Sequence, residues 1–363
     1  MITHRLLLSL ACTALLAACT TGPGYYLQAV GGHLAVLGHT RPIDDILTDP
    51  GADPALKKRL EYVRRARDFA VRDLDLPDNG SYRDYAALDR PYVTWNVYAT
   101  PALSLQSREW CFPLAGCVAY RGYFSARRAR DYARRLADEG DDVYVAPASA
   151  YSTLGWLRDP LPSPVLRASD TEVAGIVIHE LAHQKLYLPG DSAFNESFAM
   201  TVELEGVRRW LASGDVSDGD EAHRASELTR YLEGKQRRDD FLALLLRFRT
   251  RLEEVYRGPA SDTEKREEKK RVFTDLQQAY GVLRATWHGY HGYDAWFEQP
   301  LNNAQLASVG IYDRYVASFQ ALLATHQGDL PRFYAEAAGL ARLSPAQRET
   351  RLAQLRAGAA TQR

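Results

Sequence analysis

Two histidines four residues apart flank a glutamate in the segment His179-Glu180-Leu181-Ala182-His183. On a helix, residues four apart share one face about a turn apart, so both imidazoles can reach a single metal ion. Glu180 is rotated by about 100° from His179, which removes it from the ligand face. Its carboxylate can still touch a water on that metal and take its proton. Two carboxylates downstream could complete the ligand set. Twelve residues separate Glu196 from His183, placing it near the start of a second helical segment, and Glu203 follows seven residues later on nearly the same helix face. Two histidines and one glutamate leave a fourth position open for water or substrate, the catalytic form of a zinc site. The plainer role for Glu196 is to stabilise the N-terminal turn of its own helix.

The surroundings of Glu196 favour it over Glu203. Asn195-Glu196-Ser197-Phe198-Ala199 resembles the Asn-Glu-x-Phe-Ala segment of zinc aminopeptidases in the thermolysin-like superfamily, where the glutamate is the third zinc ligand. The spacing from His183 is shorter than in those enzymes, and Glu203 sits closer to the familiar distance. The resemblance of the segment nevertheless assigns Glu196 to the metal with His179 and His183. Asn195 and Glu203 then stand behind the ligands, with Glu203 orienting His179 or His183 through a ring N–H.

Further pieces extend the likeness over most of the chain. They are Cys111-Phe112-Pro113-Leu114-Ala115-Gly116-Cys117, Tyr120-Arg121-Gly122-Tyr123-Phe124, Ala150-Tyr151-Ser152-Thr153-Leu154-Gly155-Trp156 with Asp159-Pro160, and Leu301-Asn302-Asn303-Ala304-Gln305-Leu306. Together with the histidine motif they resemble a bacterial zinc aminopeptidase family of the gluzincin-like type that carries a lipoprotein or exported start. The resemblance implies a zincin-like fold, one zinc per chain and a peptide substrate, with Glu180 as the general base toward the zinc-bound water. Relatives of this type use a later tyrosine or histidine to stabilise the developing oxyanion. Tyr312 is the candidate here, with Tyr315 beside it. His288 and His291, three apart among glycines and aromatics, read as a loop.

These residues need a frame. Ser169-Asp170-Thr171-Glu172 has the form of a capping box opening the histidine helix. Before it, Tyr92–Ala99, Leu103–Gln106, Val118–Phe124 and Asp141–Ala146 are β-branched or aromatic and read as strands, with a helix over Ser125–Glu139. From Ser169 onward the periodicity is helical. Arg208–Arg284 carries mixed charge at helical spacing and is broken at Gly258-Pro259, which reads as a solvated helical hairpin. Ala55–Leu74 is an amphipathic helix, and Leu27–Leu37 is apolar enough to be a buried one. The expected fold is α+β and zincin-like: a small, mostly antiparallel sheet, then the active-site helix, then a large helical lobe. The sheet-bearing part covers about 92–160 and the lobe about 169–342, within a peptidase domain of 25–342. An exposed helix occupies 343–363. The edge strand, Asp141–Ala146 or the stretch after it to Trp156, could take a peptide by strand addition.

The N-terminus reads as an address. His4 and Arg5 precede a largely apolar run of eleven residues, Leu6–Leu16, too short to span a bilayer. Leu16-Ala17-Ala18-Cys19 resembles a lipobox, which makes 1–18 a lipoprotein signal peptide and 19–24 a tether lipidated on Cys19. Thr20 after the cysteine favours the outer membrane of a Gram-negative cell, on its periplasmic side. In that oxidising compartment Cys111 and Cys117 could form a small-loop disulfide. A formal charge of −1 argues against a nucleic-acid partner. Two other functions fit part of the pattern: an endopeptidase or processing protease, and a non-catalytic envelope-assembly lipoprotein with a structural zinc. An intact Glu180 weighs against the latter, because a structural site needs no base.

Overall fold

The computed structural model describes residues 22–112, 116–150, 153, 157–214, 220–309 and 314–361. The lipobox with Cys19, and the candidate Tyr312, lie outside the described residues. The chain is mixed α+β and 64% helical, with small sheets and a large helical part, as the sequence predicts.

The N-terminal half runs α1 (Pro23–Leu37), β1 (Thr40–Pro42), α2 (Ile43–Thr48), α3 (Pro54–Leu74), β2 (Asp84–Ala86), β3 (Thr94–Pro101), β4 (Trp110–Phe112), β5 (Gly116–Val118), β6 (Arg121–Tyr123), α4 (Ala126–Asp138), β7 (Asp141–Ala148) and β8 (Leu161–Pro162). The C-terminal half is helical: α5 (Asp170–Lys185), α6 (Ser192–Ala212), α7 (Glu221–Arg257), α8 (Asp262–Ala285), α9 (Asp294–Phe297), α10 (Asn303–Val309), α11 (Val316–Thr325), α12 (Leu330–Ala341) and α13 (Pro345–Thr361). Side-chain caps start many of these helices. Asp53 accepts from the backbone of Ala55 and Leu56 before α3, and Ser125 accepts from Arg128 before α4. Each such cap contributes about 1 kcal/mol.

The central sheet has the order β6-β3-β7 and is antiparallel throughout, in a register that pairs Thr94 with Ala148 and Pro101 with Asp141. Helix α4 covers one face through Ala129, Ala133 and Leu136 against Val97 and Ala99. The β6 margin is closed by α1, where Gln28 donates to Gly122 O at 3.2 Å and accepts from Phe124 N at 3.3 Å. That leaves β7 as the other margin. A second sheet, β1-β2-β8, is antiparallel between β1 and β2 and parallel between β2 and β8. The β4–β5 hairpin is clasped by a Cys111–Cys117 disulfide.

Three sequence expectations need correction. Leu103–Gln106 is no strand. The carbonyls of Ala102 and Ser104 instead accept from Asn303 Nδ2 at 3.0 and 3.1 Å, and Leu105 buries itself in the α7–α8 core. Helix α1 exists but is only half buried: Gln28 and Val36 face inward while Leu27, Val30 and Leu34 remain exposed. The C-terminal helix is not simply exposed either. Leu352 is fully buried in the main core, and Arg348 pairs with Asp191 at 2.9 Å.

Candidate metal centre

Helix α5 starts at the capping box that the sequence foretold. Glu172 N donates to Ser169 Oγ at 3.3 Å, and Ser169 N donates to Glu172 Oε2 at 2.8 Å. Val173, Val177, Ile178 and Leu181 bury one side of the helix against α3 and α6, which fixes its rotation and turns His179 and His183 toward α6. The loop between α5 and α6 is stapled by Asn195. Its amide accepts from Leu188 N at 2.7 Å and donates to Leu188 O at 2.8 Å. Asn195 therefore does not stand behind a ligand, as the sequence suggested; it holds the turn that sets Glu196 opposite the histidines. The disulfide hairpin leans on the same loop. Gly116 has φ +74°, and a Cβ there would lie 2.8 Å from Gly190 N, so glycine is required both by conformation and by contact.

On that frame three donors converge. His179 Nε2 lies 3.4 Å from Glu196 Oε2, and His183 Nε2 lies 3.6 Å from Glu196 Oε1. The three ligand atoms all fall within 4.8 Å of one another, the one such cluster of three among the described residues. Two imidazoles and a carboxylate suit zinc and leave one position open.

His179 is held from behind. Its Nδ1 is 3.0 Å from Glu203 Oε2, so an N–H there donates to the carboxylate and leaves the Nε2 lone pair for a metal. The other oxygen of Glu203 accepts from Tyr231 Oη at 2.8 Å and from Lys235 Nζ at 2.5 Å. Tyr231 and Lys235 are one turn apart on α7, so the helical hairpin reaches directly into the site. Gly175 makes room for this cluster: a Cβ on it would stand 3.1 Å from Glu203 Oε1 and 3.4 Å from the Tyr231 hydroxyl. His183 has no such support, since its buried Nδ1 finds no hydrogen-bond partner among the described residues.

The electrostatics suit a cation. Burial works to lower the His179 pKa, but hydrogen bonds and charge from Glu196 and Glu203 outweigh it and raise it to about 10. The carboxylates thus draw a proton onto His179 where a metal could sit instead. Burial lowers His183 to about 4, only partly offset by Glu196, which keeps that imidazole neutral with a free lone pair. Glu203 stays ionised despite burial because Lys235 and His179 hold its pKa far down. Burial raises Glu180 to about 7, with His179 opposing and Glu196, Asp159 and Glu203 adding to the rise.

Four tyrosines that sequence reasoning passed over as site residues belong to this region. Burial drives the Tyr120 hydroxyl pKa upward, and the charges of Glu196 and Glu180 bear on it. Tyr120 packs on Tyr98, ring centroids 5.6 Å apart, and Tyr98 packs on Tyr144 of β7 at 6.3 Å. Tyr187 likewise feels Glu196. Tyr315 is elsewhere: its hydroxyl donates to Glu349 Oε2 at 2.6 Å, within the α11–α13 packing. His291 Nδ1 faces Arg284 at 2.8 Å and joins no metal-ligand cluster among the described residues.

A histidine pair and a glutamate on two packed helices, with a second carboxylate one residue from a ligand, have the composition a hydrolytic metalloprotein needs. Residues 24–352 match the model of the family described as "Putative aminopeptidase", and the chain belongs to that family. This membership supports a peptidase-like function. No curated protein matches the chain, and no solved structure does.

Proposed function

We propose that the chain is a zinc-dependent aminopeptidase that removes N-terminal residues from peptides in the cell envelope. What supports this most is the convergence of His179, His183 and Glu196 with Glu180 beside them. His179 and His183 Nε2 and the Glu196 carboxylate would hold one zinc ion per chain, with Glu203 orienting His179. Zinc, when bound, would supply Lewis acidity toward the attacking water and the scissile carbonyl.

The remaining work falls to the chain itself. Glu180 takes a proton from the attacking water and passes it to the leaving amine. Its raised pKa brings it close to the range where both transfers are efficient near neutral pH. A hydroxyl steadies the oxyanion as charge develops. Tyr312 follows from the sequence resemblance, and Tyr120 from its nearness to Glu196 and Glu180. The substrate backbone adds to the β7 margin. Ala148 O accepts from Val93 N on the β3 side, whereas Val143 O accepts from Asn302 Nδ2 at 2.9 Å on the far side. Alternation along the strand then turns the N–H and C=O of Val145 outward, available to an extended peptide. The row Tyr144, Tyr98, Tyr120 leads from this strand to Glu196.

The envelope setting is the second part of the proposal. The lipobox would anchor the mature chain by Cys19 to the outer membrane, facing the periplasm. The test is metal content together with hydrolysis of free and N-terminally blocked peptides. Stoichiometric zinc and cleavage restricted to free N-termini are expected. Equal cleavage of blocked peptides would make it an endopeptidase, and zinc without any hydrolysis would favour a structural role.

A further inference from the structure

Helix α1 contains no Asp, Glu, Lys or Arg in its fifteen residues, PGYYLQAVGGHLAVL. Its inner side is accounted for by Gln28 on the β6 backbone and by the fully buried Val36. Its outer side is not. Leu27 is 75% exposed, Val30 58% and Leu34 59%, at spacings of three and four that form one stripe. Only eight large hydrophobic residues are exposed among the described residues, and three of them lie on this stripe. A solvated helix face ordinarily carries charge, so this face is built for an apolar surrounding. The helix is about 22 Å long, short of a bilayer core of about 30 Å, and no helix among the described residues is long and apolar enough to cross a membrane.

Two further features say what covers it. Cys19 precedes Pro23 by four residues, at most about 14 Å of chain. A lipid on that thiol would hold α1 at the membrane. Beside the stripe, a groove shared by Leu27 and Gly31 with Arg90 and Arg128 opens onto α4. Helix α4 carries five arginines, Arg127, Arg128, Arg130, Arg134 and Arg135, against Asp131 and Asp138. An uncharged apolar stripe bordered by arginines complements acyl chains below a layer of anionic headgroups.

We propose that α1 lies flat on the membrane, with Leu27, Val30 and Leu34 among the acyl chains and Arg128 at headgroup level. The anchored protein then has one fixed orientation instead of swinging on its tether. This rests on the proposed lipidation of Cys19, and the experiment separates the two.

The full-length chain, matured in a bacterial envelope and purified, is reconstituted into vesicles of phosphatidylethanolamine and phosphatidylglycerol. An environment-sensitive fluorophore is placed on L34C, or on V282C as a control at a site on α8 that is no less exposed. The native Cys111 and Cys117 are bonded to each other and do not compete for label. Flotation reads the anchor, and quenching by lipid-borne quenchers reads the seating. Both labelled chains should float, with quenching at position 34 several-fold above that at 282. Adding Leu27→Glu should reduce quenching at 34 without affecting flotation. A chain that floats with equal quenching at both positions overturns the seating while leaving the anchor intact. A chain that does not float overturns both. Shielding of position 34 in native envelopes but not in pure lipid would assign the stripe to a protein partner, and would also overturn the proposal.

Discussion

His179 and Glu203 stand 3.0 Å apart, Nδ1 to Oε2, although they come from different helices and the glutamate is buried. This pair separates the two candidate glutamates by role: Glu196 faces the Nε2 side of His179 and Glu203 the Nδ1 side. Glu196→Ala should therefore empty the site. Glu203→Gln should retain zinc with an affinity lower by roughly 10- to 100-fold. Competition against a chromogenic chelator measures both. Full zinc in Glu196→Ala, with none in Glu203→Gln, would reverse the assignment.

Lys235 should matter for stability as well as for the site. Truncating one partner of a fully buried ion pair costs about 3–5 kcal/mol. Lys235 keeps 22% of its side-chain surface exposed, and Tyr231 still donates to Glu203 in its absence. The expected loss in Lys235→Met is therefore smaller, about 1–3 kcal/mol. Denaturant unfolding of the metal-free protein reads it directly. No change in midpoint would mean that the Lys235–Glu203 contact carries no weight in solution.

The pH profile should show an acid limb set by Glu180. A general base works only when ionised, so kcat/KM falls about tenfold per pH unit below its pKa. Burial raises that pKa from 4.5 to about 7, and a bound cation nearby pulls it back down. The midpoint of the limb is therefore expected above 4.5 and no higher than about 7. Activity that stays level down to pH 4, with metal retained, would contradict a buried base.

Tyr120 and Tyr312 can be told apart by single substitutions. Removing an oxyanion donor typically lowers kcat by about 100- to 1,000-fold while leaving binding largely intact. Tyr120→Phe is expected to show that kcat loss with KM little changed. The same loss in Tyr312→Phe, with Tyr120→Phe near normal, would return the role to the residue suggested by the sequence.

What could be read from the sequence was what depends on short separations. His179, Glu180 and His183 fall within one helical turn and a half, and the box from Ser169 to Glu172 announces their helix. The pairing of β3 with β7 was foreshadowed by two β-branched segments around a capped helix. The rest needed the folded path. Lys235 lies 32 residues from Glu203, inside a run of mixed charge that resembles a solvated surface, and nothing local marks it as an inward-facing residue. Tyr120 is one of 21 tyrosines and reaches the site only because the chain turns between β5 and β6. Helix α1 misled for a different reason. Apolar character predicts burial against the rest of the protein, whereas Leu27, Val30 and Leu34 stand exposed.

The central claim is that Glu180 moves protons, and Glu180→Gln tests it most directly. The amide keeps the shape of the side chain but cannot act as a base at neutral pH. Glu180 is not one of the three converging donors, so zinc content should remain at the wild-type level and folding near normal. Hydrolysis of a free aminoacyl peptide should fall by roughly 100-fold or more. Measuring zinc and turnover on the same preparation gives the answer: full zinc with turnover lost is the predicted result, and full zinc with undiminished turnover would contradict the account.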